Sequence, residues 1–249
     1  MTDGPLPSLK IVLWNIEWRS PSTPAGREIR RRIDAHEPDI VCITEGHEAF
    51  LGDSGHAISG AANYGVNTKP DRRKVMLWSR MPWVEVDDLG SADLPAGRYV
   101  SAATETPVGN IEVVGVCIPW SFSNVNVGTK DRTPWEDHAA YLNGLAALLP
   151  PIIARGPTVL LGDFNQTIPR TRAPKAMADL LGKSLPETLL MPTTGIIGEI
   201  ERPSIDHLAH TRDLVTHSVQ PISNIWKDDK QLSDHFGLAI ELRVAACEG

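Results

Sequence analysis

Five places along the chain set carboxylates, amides or an imidazole at the ends of apolar, strand-like runs: Asn15 with Glu17, Glu45, Asp163 with Asn165, Asp206, and Asp234 with His235. Together they offer carboxylates for a hard cation, amides able to orient phosphate oxygens, and one imidazole near two aspartates. Mg²⁺ prefers oxygen ligands, takes one or two protein carboxylates and keeps several waters. The sequence has neither Cys/His spacing for zinc nor a glycine-rich nucleotide loop ending in Lys-Ser or Lys-Thr. The chemistry these groups suit is attack of water on a phosphoester. A metal ion neutralises a phosphate oxygen, and an Asp–His pair keeps an imidazole oriented and partly protonated. Taken singly, each place also reads as an ordinary strand end, because Gly-Asp and Asn close strands in turns and a lone Glu there is most simply solvated.

The element that must position the central pair is Thr158-Val159-Leu160-Leu161-Gly162-Asp163-Phe164-Asn165. Its apolar, β-branched run predicts a short buried strand that delivers a carboxylate and an amide to a sheet rim. Lys10 to Trp14 and Asp39 to Glu45 predict two more, each ending in a polar group. Further strands are expected at Val75 to Trp78, Arg98 to Thr104, Asn110 to Ile118, Ser204 to Ala209, Asp213 to Val219 and Leu238 to Val244. Residues 20–26 and 46–73 read as loop, rich in Gly, Ser, Pro and Asn. Helices are expected at Arg27 to His36, with Ile29 and Ile33 as the apolar stripe, and at Pro174 to Leu181, closed by Gly182. A third starts at Thr133-Pro134-Trp135-Glu136 as a capping box and ends at Pro150-Pro151; its His138 is expected at the surface or rim. Strands outnumber helices without strict alternation, which predicts two sheets packed face to face with helices outside, in one domain over residues 1–249.

A net charge of -7 gives no bulk attraction for polyanions, so a phosphate substrate must be held locally, by a metal or a few basic groups. The run Arg72-Arg73-Lys74 is the candidate exposed phosphate contact. The three cysteines, Cys42, Cys117 and Cys247, are odd in number, and two lie in apolar strand-like runs, as reduced thiols in a cytosol do. The first residues lack the build of a signal peptide and no apolar run is long enough to cross a membrane. A cytoplasmic protein with no membrane attachment and no obligate protein partner is the expectation.

In order, Trp14-Asn15-Ile16-Glu17, Thr44-Glu45, Val75-Met76-Leu77-Trp78-Ser79-Arg80, Gly162-Asp163-Phe164-Asn165, Ser204-Ile205-Asp206-His207 and Ser233-Asp234-His235 resemble the endonuclease/exonuclease/phosphatase superfamily. That group includes exonuclease III-type and pancreatic deoxyribonuclease-like enzymes, neutral sphingomyelinases and inositol polyphosphate 5-phosphatases. The resemblance spans residues 10 to about 242. It implies a four-layer α/β/β/α sandwich of two packed mixed β-sheets with outer helices, and a Mg²⁺- or Mn²⁺-dependent phosphoesterase. By resemblance Glu45 is the principal metal ligand, helped by Asn15 and Glu17, with Asp234 close to the metal. Asp163 positions or deprotonates the attacking water and Asn165 holds a phosphoryl oxygen. His235 contacts the scissile phosphate, with Asp206 fixing its tautomer and charge. Relatives carry His or Tyr where this chain has Cys117. Nearby carboxylates would oppose a thiolate there, so Cys117 is read as a non-nucleophile, and since a thiol is a weak donor, Trp120, Ser121 and Asn124 are read as the groups that help hold substrate. The expected substrate is a phosphodiester in nucleic acid or a nucleotide. A phosphorylated small molecule or lipid headgroup is the alternative, and a catalytically silent binding module on the same fold the third reading.

Overall fold

The computed structural model describes residues 6–65, 68–125 and 132–246. Among them, eleven strands divide into a six-stranded and a five-stranded sheet. The first sheet holds β1 (Leu9–Asn15), β2 (Ile40–His47), β3 (His56–Ser59), β4 (Arg72–Ser79), β10 (Leu214–Ile222) and β11 (Gly237–Val244), in the order β10-β11-β1-β2-β4-β3. The second holds β5 (Trp83–Asp87), β6 (Tyr99–Thr106), β7 (Gly109–Cys117), β8 (Thr158–Asp163) and β9 (Asp206–His210), in chain order. Both are mixed: β1 runs parallel to β2 and β7 parallel to β8, while the other pairs are antiparallel.

The central strands are apolar on both faces, and alternation along each strand divides its residues between two cores. Leu9, Ile11 and Leu13 of β1 point toward the second sheet with Cys42, Val75, Val113 and Leu161, whereas Val12 and Trp14 point outward. Helix α1 (Pro24–Asp34) covers that outer face through Ile29 and Ile33. On the far side, Val114, Val116 and Leu160 meet α2 (Glu136–Ile153) and α3 (Lys175–Ser184) through Tyr141, Leu142, Leu145, Leu149 and Leu181. The layers are therefore helix, sheet, sheet, helices.

Local chemistry moves several boundaries from where the sequence placed them. α1 starts at Pro24, inside the expected loop, because the Thr23 side chain accepts the Gly26 N–H at 3.1 Å and Pro suits the first turn. β3 and β5 arise in stretches read as loop or unassigned. Both are edge strands with largely exposed residues, which leaves no periodic signal. Thr133 and Glu136 do bond, the Thr133 N–H to the carboxylate at 2.9 Å, but Trp135 is left-handed at φ 72° and α2 begins only at Glu136. The same helix runs through Pro150 and Pro151 to Ile153, its last turn held by buried Ile152. α3 passes Gly182 and ends at Ser184, whose hydroxyl donates to Leu181 O at 2.8 Å. His138 is fully buried, contrary to its expected rim position. Its Nδ1–H donates to Pro119 O at 2.6 Å and its Nε2 accepts from the Gln166 amide at 2.7 Å, so both nitrogens are satisfied inside the core. Cys42 and Cys117 are free and buried, and Cys247 lies outside the described residues.

Candidate active site

Topology brings the chemistry-bearing residues to one edge. Parallel pairing sends the C-terminal ends of β1, β2, β7 and β8 the same way, with Asn15 opposite Thr44 and Cys117 opposite Asp163. β9 and β11 run antiparallel to β8 and β1, so Asp206 and the turn before Gly237 begin at that edge. Between the two sheets, Asn15 Nδ2 donates there to Asp163 Oδ2 at 3.0 Å.

Gly162 allows β8 to arrive. Its φ is +144°, and a Cβ there would sit 1.8 Å from Val116 O, so only glycine fits one residue before the carboxylate. Asp163 Oδ1 accepts the Asn165 N–H at 2.8 Å. The Asn165 amide spans Asp163 Oδ2 at 3.0 Å and Ile118 O at 2.8 Å, with Asn165 itself left-handed at φ 53°. Glu45 is also left-handed, at φ 51°. Sparsely populated backbone of this kind persists where the surroundings over-determine it, and it concentrates at functional sites.

The turn before β11 is fixed by Ser233, whose hydroxyl donates to Asn15 O at 2.6 Å and accepts the His235 N–H at 3.2 Å, and by Trp14 Nε1–H on His235 O at 3.0 Å. It aims His235 Nδ1 at Asp206 Oδ2, 2.6 Å away. The ligand atoms of Asp163, Asp206 and His235 all lie within 4.8 Å of one another, and both aspartates are buried. Burial, then the charge of Asp206, raises the Asp163 carboxyl to about 7. For His235 burial acts downward, but the charge and hydrogen bond of Asp206, then Asp163 and Asp234, raise it to about 10. The imidazole is thus a cation at neutral pH, and Asp163 is poised between acid and base.

The remaining sequence candidates are placed as follows. Glu45 is half-buried, its Oε1 2.6 Å from Lys74 Nζ. Glu17 turns to Arg19 at 3.0 Å while its N–H donates to Asn15 Oδ1 at 3.0 Å. Asp234 is exposed, with Oδ1 3.6 Å from His235 Nε2. Arg72, Arg73 and Lys74 are not the exposed run expected. They open β4, where pairing with β2 folds them inward: Arg73 meets Glu48 at 3.0 Å, Lys74 meets Glu45, and the Arg72 guanidinium lies 4.8 Å over the Trp18 ring. Trp120 is exposed and Ser121 half-buried. Asn124 spends its amide on Asp137 Oδ2 at 2.6 Å. Burial holds the Cys117 thiol up to about 12 despite Lys74 and Arg98 nearby. Sequence reasoning passed over buried Arg98, which donates to Cys117 O at 3.2 Å, and over the Trp18–Tyr64 stack beside Lys74; neither carries a motif.

The model of the Endonuclease/Exonuclease/phosphatase family matches residues 12–235. The chain belongs to this family. Members hydrolyse phosphoesters and generally depend on a divalent metal. Solved structures share its fold. The catalytic domain of human Nocturnin with bound sulfate aligns at TM-score 0.67 and 18% identity, over 96% of this chain and 94% of that one. An AP endonuclease from Archaeoglobus fulgidus aligns at 0.66 and 17%, over 93% and 98%. TDP2 from D. rerio, complexed with single-strand DNA product, aligns at 0.66 and 12%, over 95% and 99%. No curated protein matches in sequence. Among the described residues no helix is long and apolar enough to cross a membrane.

The donor set fits the family's metal. Glu45 already faces a cation, the Lys74 ammonium, and Asp206 Oδ1 is a buried oxygen without a hydrogen-bond partner. Hard oxygen donors around one partly open carboxylate suit Mg²⁺ or Mn²⁺ better than a soft metal.

Proposed function

We propose that this family member is a Mg²⁺- or Mn²⁺-dependent phosphodiesterase whose substrate is nucleic acid or a nucleotide. The observation that carries the reading is the convergence of Asp163, Asp206 and His235 within 4.8 Å at the edge where Asn15, Glu45 and Asn165 also emerge. Glu45 and Asn15 would hold the metal, with Glu17 and Asp234 as further carboxylates of the set. Bound there, the ion would neutralise a phosphate oxygen and stabilise developing charge. Asp163 takes the proton of the attacking water, a role that suits a carboxyl held near neutrality. Asn165, whose amide holds Asp163 Oδ2 and Ile118 O, would orient a phosphoryl oxygen by exchanging one of those acceptors for the substrate. The His235 imidazolium donates to the scissile phosphate, and Asp206 keeps it oriented and charged. Of the basic run, Arg72 over the Trp18 ring would supply local positive charge, while Arg73 and Lys74 are offset by Glu48 and Glu45. Trp120 and Ser121, with Asn124 on the same loop, would help hold the substrate. A cytoplasmic enzyme acting without an obligate protein partner completes the proposal.

The DNA product bound to the D. rerio relative supports the choice of substrate class. Turnover of a phosphodiester panel with Mg²⁺ or Mn²⁺ tests it. Asp163→Asn should lose on the order of a hundredfold or more in kcat/KM in a folded protein. Undiminished metal-dependent activity in that variant would falsify the assignment.

A further inference from the structure

The loop after β7 presents two large rings to water beside the candidate site. Trp120 is 53% exposed and Phe122 47%, their ring centroids 5.6 Å apart and tilted by 48°. The backbone beneath is pinned. Pro119 O accepts from buried His138, Ser121 O accepts the Trp135 N–H at 2.7 Å, and Trp120 O accepts the Ser123 N–H at 3.0 Å. The Ser123 hydroxyl lies 3.4 Å from buried Arg98. The same loop is tied to the reacting edge: the Ile118 N–H donates to Asp163 O at 2.8 Å and Ile118 O accepts the Asn165 amide. Two exposed rings on an anchored loop, two residues from a direct partner of Asn165, are preorganised to cover something flat.

A second aromatic element stands by Glu45. Trp18 stacks on Tyr64 at 5.8 Å and 26°, with the Arg72 and Lys74 cations over the Trp18 ring. The Tyr64 loop meets the Trp120 loop at Gly65, where a Cβ would lie 4.0 Å from Asn124 Oδ1.

We propose that Trp120 and Phe122 form the stacking platform for a nucleobase attached to the phosphodiester being hydrolysed. This rests on the proposed function and narrows it to base-bearing substrates. Every base has an apolar π-face that stacks on aromatic side chains without regard to sequence. An aliphatic phosphoester would leave both rings in water.

The test compares a single-stranded DNA decamer with an abasic decamer of equal length and charge, using the full chain with Mg²⁺. Wild type should prefer the base-bearing decamer about tenfold or more in kcat/KM. Trp120→Ala should cut that preference about tenfold, mainly through KM, and Trp120→Phe should keep most of it. Far-ultraviolet circular dichroism confirms the fold. Equal rates on the two decamers, or a preference that survives Trp120→Ala combined with Phe122→Ala, overturns the platform and leaves phosphodiester hydrolysis standing. Rates no higher than those of Asp163→Asn on both decamers sink the platform together with the reading beneath it. A blue shift of tryptophan emission on phosphatidylcholine vesicles that is lost in Trp120→Ala, with no response to the decamer, assigns the rings to a lipid surface and also overturns the proposal.

Discussion

Asp206→Asn isolates what the buried carboxylate does for His235. Asparagine keeps an oxygen that can still accept from Nδ1, 2.6 Å away in the native pair, so tautomer and ring orientation survive while the charge is lost. That charge is the main influence raising His235 to about 10 against its burial. Without it, burial still acts downward while Asp163 and Asp234 still act upward; where these offset, the imidazole titrates near its free value of about 6.5. At pH 7.5 a group of that pKa is ~one-tenth protonated, where the native residue is almost wholly so. Catalysis by the imidazolium should therefore drop at least about tenfold at pH 7.5 and recover toward pH 6. Asp163 loses in the same step a charge that raises it and a cation that lowers it, so the limb of the pH–rate profile that shifts to acid is the one set by the imidazole. Long-range ¹⁵N–¹H spectra of the imidazole read the protonation directly, with or without turnover. An imidazole still cationic at pH 8 in the variant would refute the reasoning and leave Asp163 and Asp234 as the groups that hold its proton. The pair also ties stability to pH. The folded value lies above the unfolded one, so its contribution is complete below about 6.5 and is lost as pH rises toward 10.

Lys74→Gln removes the ammonium that occupies Glu45. Calorimetric Mg²⁺ affinity should rise about fivefold, equivalent to ~1 kcal/mol for a partly buried pair; weaker binding would make Lys74 a helper of the site rather than a competitor. His138 is buried and held below its ordinary value, chiefly by desolvation. The unfolded chain therefore takes up a proton first as pH falls below about 6.5, and stability should decline by up to ~1.4 kcal/mol per pH unit from this group. Urea unfolding at pH 7 and pH 5.5 should show a shallower decline in His138→Gln, and an identical one would remove His138 from the account. Cys117→Ala should keep most of the turnover, since a thiol at about 12 supplies no thiolate; trapping a covalent phosphocysteine would reverse that conclusion.

Hydrophobic pattern alone determined the central strands and their polar ends. Runs such as Val159 to Leu161 and Ile11 to Trp14 are apolar at successive positions, as a strand buried on both faces requires, their shortness favours strand over helix, and Gly162 marks where β8 crowds β7. Those strands make the Asn15, Glu45, Asp163 and Asn165 positions readable. Edge strands β3 and β5 left no such signal, because their half-exposed residues obey no burial period. Pairing between distant segments lay outside local sequence altogether. Asp206 and His235 are separated by 29 residues, and their 2.6 Å contact exists because β9 and β11 both begin at one edge. The same holds for charge. Arg72, Arg73 and Lys74 read as an exposed basic run, and only the register of β4 against β2 turned them onto Trp18, Glu48 and Glu45. His138 read as a rim residue until Pro119 and Gln166 supplied its partners in the core. Sequence carries periodicity and residue chemistry. Burial, proximity and pKa arise from long-range packing, and they decided which of these side chains meet.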